Sequence, residues 1–454
     1  MKFASINPAT GETLQVFEEM SAAAAGSVIE NSYQAFQSWK STSFAERAGH
    51  MYKISELLQQ KKAELAQLMA CEMGKPLAQG IAEVEKCASV CHFYAEQAEF
   101  FLTEDLIRTE ATKSYVTFEP LGPVLAVMPW NFPLWQVFRF AAPTLMAGNT
   151  ALLKHASNVS GCAIEIEKLF LEAGFPKYVF STLLISSDHV EAVIKNPLVK
   201  AVTLTGSTEA GRDVARSAGE NLKKIVLELG GSDAYLVLAD ADIDAAVELC
   251  VKSRLINSGQ SCIAAKRFIV VKEVIEPFTE KFIKLMRSKK MGSPLNDDTA
   301  VGPLARHDLQ EQLHQQVLMS VKHGAVLALG GQIPVDNGAY YVPTVLTNVK
   351  PGMPAYDDEL FGPVAAIIEA KDEADAIRLA NDSVFGLGSA IFSRDSARAE
   401  KLALQLESGC CFINAIVASD PRLPFGGIKT SGYGRELGSY GIKEFVNTKT
   451  IYVK

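Results

Sequence analysis

From residue 115 onward the chain alternates short β-rich runs with helical stretches, and that alternation restricts its fold more than any other feature. Runs bounded by Gly and Pro fall at 115–119, 124–128, 150–154, 201–205 and 225–228, with helical segments at 135–146, 163–172 and 209–219 between them. Strand followed by helix at this spacing gives a parallel sheet with helices on its faces. A second series begins near residue 234, with strands expected at 235–238, 267–271, 364–369 and 388–392 and helices at 243–255, 275–287, 372–381 and 395–406. Two α/β units also suit the length, because 454 residues exceed what one hydrophobic core normally serves.

Ahead of the alternation, 22–74 reads as two helices. Met51, Ile54, Leu57 and Leu58 share one face of the second, and Ser43 with Glu46 forms a capping box at its start. A longer helix is expected over 81–101. At the other end, 443–454 carries Phe445, Val446, Thr448, Ile451 and Val453 in a short strand with no place in either sheet. Such a strand often completes the sheet of a second subunit, so a homodimer or homotetramer is expected.

The charge balance, 44 Lys and Arg against 52 Asp and Glu, argues against a nucleic-acid surface. No apolar run reaches bilayer length and residues 1–10 lack the build of a secretory signal, so the expectation is a cytoplasmic protein without a membrane partner. Eight cysteines are scattered, with Cys410 beside Cys411 and no CxxC pair. Reduced thiols and no metal site are expected.

Three short motifs carry chemistry. Asn257-Ser258-Gly259-Gln260-Ser261-Cys262 places a thiol after a Gly-containing turn and before a β-rich run. Taken singly, Cys262 is either a buried core thiol or a nucleophile projecting into a cleft. Glu228 ends a strand ahead of Gly230 and Gly231, where α/β enzymes place their chemistry, although a solvated strand-end glutamate reads the same way. Pro129-Trp130-Asn131-Phe132-Pro133 brackets Asn131 in a rigid loop, where its amide either donates to an oxyanion or caps the next helix.

Together and in this order these motifs resemble the aldehyde dehydrogenase superfamily, and the resemblance runs through the chain. Asn7 to Glu12, Gly206 to Gly211, Glu359-Leu360-Phe361-Gly362-Pro363 and Pro424-Phe425-Gly426-Gly427 complete the pattern. It implies an α/β fold with a Rossmann-type cofactor domain (1–111 and 126–228), a second α/β catalytic domain (229–430) and a small β oligomerisation arm (112–125 and 431–454). It also implies roles. Cys262 attacks the aldehyde, Asn131 and the Cys262 backbone N–H hold the oxyanion, and Glu228 activates the water that hydrolyses the thioester.

For the cofactor, the resemblance points to Gly206 and Ser207 near the pyrophosphate, Lys154 at the adenosine ribose, Glu359 with Phe361 at the nicotinamide ribose, and Val127 and Trp130 as walls. Gly206-Ser207-Thr208-Glu209-Ala210-Gly211 is not GxGxxG, yet it follows a strand and opens a helix, where Ser/Thr capping is the alternative reading. Similar enzymes that prefer NAD often carry Glu three residues after the lysine. Here Ser157 stands there, which favours NADP, with NAD possible.

For the substrate, Arg139 matches an arginine that binds the distal carboxylate in the succinate semialdehyde dehydrogenase branch, with Ser419 beside it and Trp135, Ile263 and Val417 as walls. That branch's second arginine, six residues before the cysteine, is Ile256 here. Oxidation of succinate semialdehyde to succinate is therefore expected, the alternatives being another short aldehyde or a catalytically silent protein on the same fold.

Overall fold

The computed structural model describes residues 2–454. Its first large sheet has six strands in the order Gly432–Tyr433, Lys224–Glu228, Ala201–Thr205, Pro123–Met128, Thr150–His155, Phe180–Thr182, parallel except for Gly432–Tyr433. Side-chain alternation divides its interior. Leu125, Leu152, Val202 and Leu227 face a core shared with Ala25, Ile29 and Val214, whereas Val124, Ala126, Leu153 and Val226 face Phe138, Ala141 and Tyr94. Burial on both faces is why these strands read as near-continuous apolar runs.

Chain order reverses between Pro123–Met128 and Ala201–Thr205, which lie side by side although the chain runs outward through two further strands before returning. The crevice at the carboxyl ends of such a pair is where open α/β sheets bind ligands. Both expected phosphate and oxyanion loops, 129–133 and 206–211, leave the sheet there.

The second sheet has seven strands in the order Val326–Leu329, Thr344–Thr347, Val364–Ala370, Arg267–Val271, Ala234–Val237, Gly388–Phe392, Cys410–Ile413, with only Val326–Leu329 antiparallel. It too separates two cores. A third sheet joins Val446–Val453, Lys113–Pro120 and Asp105–Leu106, so the C-terminal strand finds a partner within its own chain, pairing from Val446 opposite Pro120 to Val453 opposite Lys113. It lies at the sheet's edge. No described helix is long and apolar enough to cross a membrane.

Several boundaries differ from the sequence expectation. Pro123–Met128 lies whole in the six-stranded sheet, so the division at 125/126 cuts a strand. Gly432–Tyr433, expected within the arm, pairs into that sheet through Gly432 opposite Glu228. The segment 22–74 holds three helices, Ala22–Trp39, Phe44–Gln60 and Lys62–Met73, because Lys61 leaves helical geometry (φ -98°, ψ 10°). Ser43 does cap its helix, accepting from the Glu46 N–H at 3.1 Å. The Lys2–Ile6/Thr13–Glu18 hairpin, the helix His307–Lys322 and the strands Val326–Leu329, Thr344–Thr347 and Cys410–Ile413 were not anticipated.

Buried Asn149 stitches the tail to the first sheet. Its Oδ1 accepts from Leu121 N (2.8 Å) and Gly122 N (2.9 Å), and its Nδ2 donates to Phe445 O (2.9 Å). Replacing it strands three backbone groups, two of them buried. Asn149→Ala is expected to lose about 3 kcal/mol of stability, read as a lower melting temperature; an unchanged melt would show that the tail is held elsewhere.

Candidate active site

The loop that delivers Cys262 is built on unusual backbone. After the helix Ile243–Arg254 the chain turns through Asn257 (φ 51°), Ser258 (φ 56°) and Gly259 (φ 81°), all left-handed. Gly259 is obligatory on space as well, since a Cβ there would lie 2.2 Å from the Gly362 carbonyl oxygen. Polar contacts fix the two non-glycine residues. Asn257 donates its backbone N–H to Gln79 Oε1 (2.6 Å) and its Nδ2 to Asn131 O (2.7 Å) and Gln260 O (3.1 Å), while Ser258 Oγ accepts from Gly302 N (2.9 Å).

Asn131 approaches from the other sheet. Its Nδ2 donates to Gln260 O (3.1 Å) and its Oδ1 accepts from Gln136 Nε2 (3.2 Å). The surrounding loop is pinned where it runs into the following helix. His155, whose pKa burial lowers to about 4, donates from neutral Nε2 to Pro133 O (2.9 Å). Glu83 accepts from Leu134 N and Trp135 N (2.9 Å each) at the start of the helix Trp135–Met146, and its second oxygen pairs with buried Lys75.

Cys262 and Asn131 line one cavity of about 360 Å³, together with Trp130, Gly206, Ser207, Glu359 and Phe361. Trp130 and Phe361 meet edge to face at 5.7 Å. Ser207 Oγ caps the helix Thr208–Glu220 by accepting from Ala210 N (3.2 Å), so it serves as a helix cap while bordering the cavity. Glu359 accepts from Gly231 N and pairs with Lys266, both at 3.1 Å, and Lys266 Nζ also donates to Cys262 O (2.7 Å) and Ser261 O (2.8 Å).

A second cavity, about 560 Å³, is lined by Val127, Lys154, Leu204 and Val214. Burial lowers the Lys154 pKa. Ser157, three residues on, is exposed and opens a single helical turn. A third, about 630 Å³, lies against Phe132, Trp135, Lys86 and Ile256. The segment 131–136 thus walls two cavities, with Asn131 and Gln136 on one and Phe132 and Trp135 on the other.

Charges around the thiol and the carboxylate oppose one another. Burial pushes the Cys262 thiol up to about 12, against the pull of the Lys266 and Arg139 cations. Glu228 is buried and neither carboxylate oxygen accepts a hydrogen bond from the protein. Burial and the neighbouring Glu436 carboxylate raise its pKa, while Arg139 and Arg435 counter them. Space beside it is kept by Gly426, where a Cβ would lie 2.8 Å from Oε1.

Arg139 is itself buried, ion-paired through Nε with Glu436 and 5.0 Å from the Phe425 ring centroid. Sequence reasoning missed Glu436, Lys266, Gln136, Glu83 and Lys86. Each is an ordinary polar residue whose inward orientation is set only by tertiary packing. Ser419 is buried and accepts from Lys86 Nζ at 2.7 Å. Val417 lies in a core and Ile263 packs against two.

The profile of the aldehyde dehydrogenase family matches residues 1–451. The chain belongs to the aldehyde dehydrogenase family. It is 48% identical over 453 residues, covering all of both chains, to a probable succinate-semialdehyde dehydrogenase [NADP(+)] of Synechocystis sp.. It is 46% identical to a succinate semialdehyde dehydrogenase [NAD(P)+] of Escherichia coli, over 99% of this chain and 97% of that one. Among solved structures, a succinic semialdehyde dehydrogenase from Streptococcus pyogenes in complex with NADP+ superposes with a TM-score of 0.98 at 38% identity, over 99% of each chain.

In this aldehyde dehydrogenase, burial leaves the Cys262 thiol protonated at neutral pH in the ligand-free protein. Its alkylation by iodoacetamide, followed by peptide mapping, is therefore expected to accelerate steadily from neutral pH to about pH 10. A plateau reached below about pH 8 would reveal a preformed thiolate.

Proposed function

We propose that this aldehyde dehydrogenase oxidises succinate semialdehyde to succinate with NADP as preferred cofactor and NAD as a usable second. The observation that carries the reading is the single cavity shared by the Cys262 thiol, the Asn131 amide and the Glu359–Phe361 pair. Substrate and cofactor follow from relatives of the same length so named.

The residues present suit a dinucleotide. Two cavities open at the strand pair where chain order reverses, a helix N-terminus with Gly206 and Ser207 borders one, and half-buried Lys154 borders the other. Val127 and Trp130 supply apolar walls, and Glu359 a carboxylate for ribose hydroxyls, with Phe361 beside it. Ser157, three residues after Lys154, is neutral and small, so it adds no negative charge of its own against a 2′-phosphate.

Cys262 gives up its thiol proton to solvent and attacks the carbonyl carbon as a thiolate, forming a C–S bond and placing negative charge on the former carbonyl oxygen. One Asn131 N–H is spent on Gln260, so the other, with the Cys262 backbone N–H, holds that charge. The bound cofactor supplies the hydride acceptor that makes the adduct a thioester. Glu228, whose oxygens accept no bond from the protein, takes a proton from water as the hydroxyl attacks the thioester carbon. The C–S bond breaks, releasing carboxylate product and restoring the thiolate.

Arg139, Trp135 and Ser419 border the substrate's far end. A second reading, oxidation of another short aldehyde, draws support from the Arg139–Glu436 pair, which commits part of the guanidinium to the protein. The six-stranded unit is read as the cofactor domain, the seven-stranded unit as the catalytic domain, and the three-stranded sheet as the arm of a cytoplasmic homodimer or homotetramer.

The test is formation of reduced cofactor, followed by absorbance, across aldehydes with and without a terminal carboxylate and with both cofactors. The reading expects succinate semialdehyde with NADP to give the highest kcat/KM; indifference to the carboxylate supports the second reading. Ser157→Glu is expected to move the NAD-to-NADP ratio of kcat/KM toward NAD on the order of ten-fold or more. An unchanged ratio would mean that another residue sets the choice.

A further inference from the structure

Lys86 stands out because its charge has no counter-ion. It sits on the helix Leu77–Phe101, half-buried, and lines the 630 Å³ cavity with Trp135, Phe132 and Ile256. Its Nζ donates to Ser419 Oγ (2.7 Å) and lies 4.1 Å from the Trp135 ring centroid. Among the described residues it forms no ion pair. The nearby carboxylates are otherwise engaged: Glu83 holds Lys75 and the N–H groups of Leu134 and Trp135, and Asp420 makes a two-oxygen pair with Arg422. Arg139, also buried, is paired with Glu436.

A desolvated cation without a partner is costly, and an anion entering beside it recovers that cost. The geometry points to Lys86 as the residue that selects an ω-carboxylate on the aldehyde, with the Ser419 hydroxyl as its second donor. Lys86 has three N–H groups and gives one to Ser419, and Ser419, having accepted that bond, keeps its own O–H to give. Two donors side by side match the two oxygens of a carboxylate. The indole face of Trp135 holds the ammonium in place by cation–π attraction. Burial and the Arg139 charge lower the Lys86 pKa to about 8, the signature of a cation lacking compensation. Besides Lys86 and Glu83, the cavity is lined by the charged Lys252, Lys289 and Glu248, of which Lys252 and Glu248 are exposed, while Ile256 offers only apolar surface.

The inference deepens the succinate semialdehyde reading and rests on it. The test compares kcat/KM for succinate semialdehyde with that for butanal, which has the same carbon count and no charge, in the wild-type enzyme and in Lys86→Met, Lys86→Gln and Lys86→Arg. The wild-type ratio is expected to favour succinate semialdehyde strongly. Lys86→Met and Lys86→Gln should shrink that ratio on the order of ten- to a hundred-fold, through KM more than kcat, and Lys86→Arg should restore much of it. Because butanal turnover reports folding in each variant, a misfolded protein is separable from a lost contact. A wild-type enzyme with no preference overturns the carboxylate reading and this inference with it. A strong wild-type preference that survives in both neutral variants overturns the role of Lys86 alone.

Discussion

The position of the Cys262 thiol depends on a polar knot tied between the two large sheets: Asn257 donates to the Asn131 carbonyl, and Asn131 donates to the Gln260 carbonyl. Holding Asn257 and Ser258 in left-handed backbone costs about 1–2 kcal/mol each. The bonds to Asn131, Gln260, Gln79 and Gly302 offset that strain. Strained backbone secured in this way leaves Cys262 little freedom, so the thiol and the amide keep one register on the cavity wall. The knot also ties the loop at the reversal point of one sheet to the loop entering the central strands of the other.

Electrostatics around that knot follow from burial. Desolvation alone makes both Cys262 and Glu228 reluctant to ionise, and three cations, Lys266, Arg139 and Arg435, act against it. Their placement divides the labour. Lys266 sits on the Cys262 carbonyl and on Glu359, so it links the Cys262 loop to the carboxylate proposed for the cofactor. The Arg139 charge stabilises the ionised form of the thiol and of both buried carboxylates. Once ionised, a glutamate whose proton is held this tightly is a base able to take one from water.

The sheet-forming core was legible because its strands are apolar runs broken by Gly and Pro, and Ala201–Thr205 was read to the residue. Strands such as Val326–Leu329 escaped notice because an exposed antiparallel edge lacks that pattern. In the candidate site, Cys262, Asn131 and Glu228 stood in short motifs with glycine or proline beside them, where the backbone's own constraints mark the position. Lys86 and Glu436 carry no such mark. Their importance comes from what faces them across the fold: Ser419 and Trp135 for one, Arg139 for the other. Ser207 shows the limit from another side, since capping and cavity lining proved compatible.

The central claim is that Cys262 becomes acylated and that Glu228 governs release of the acyl group. Intact-mass measurement of Glu228→Gln during turnover with succinate semialdehyde and NADP tests it most directly. The account predicts that protein gaining the mass of one succinyl group accumulates, with the modification mapping to Cys262. Sustained cofactor reduction with no acylated protein, or an acyl group on a different residue, would contradict it.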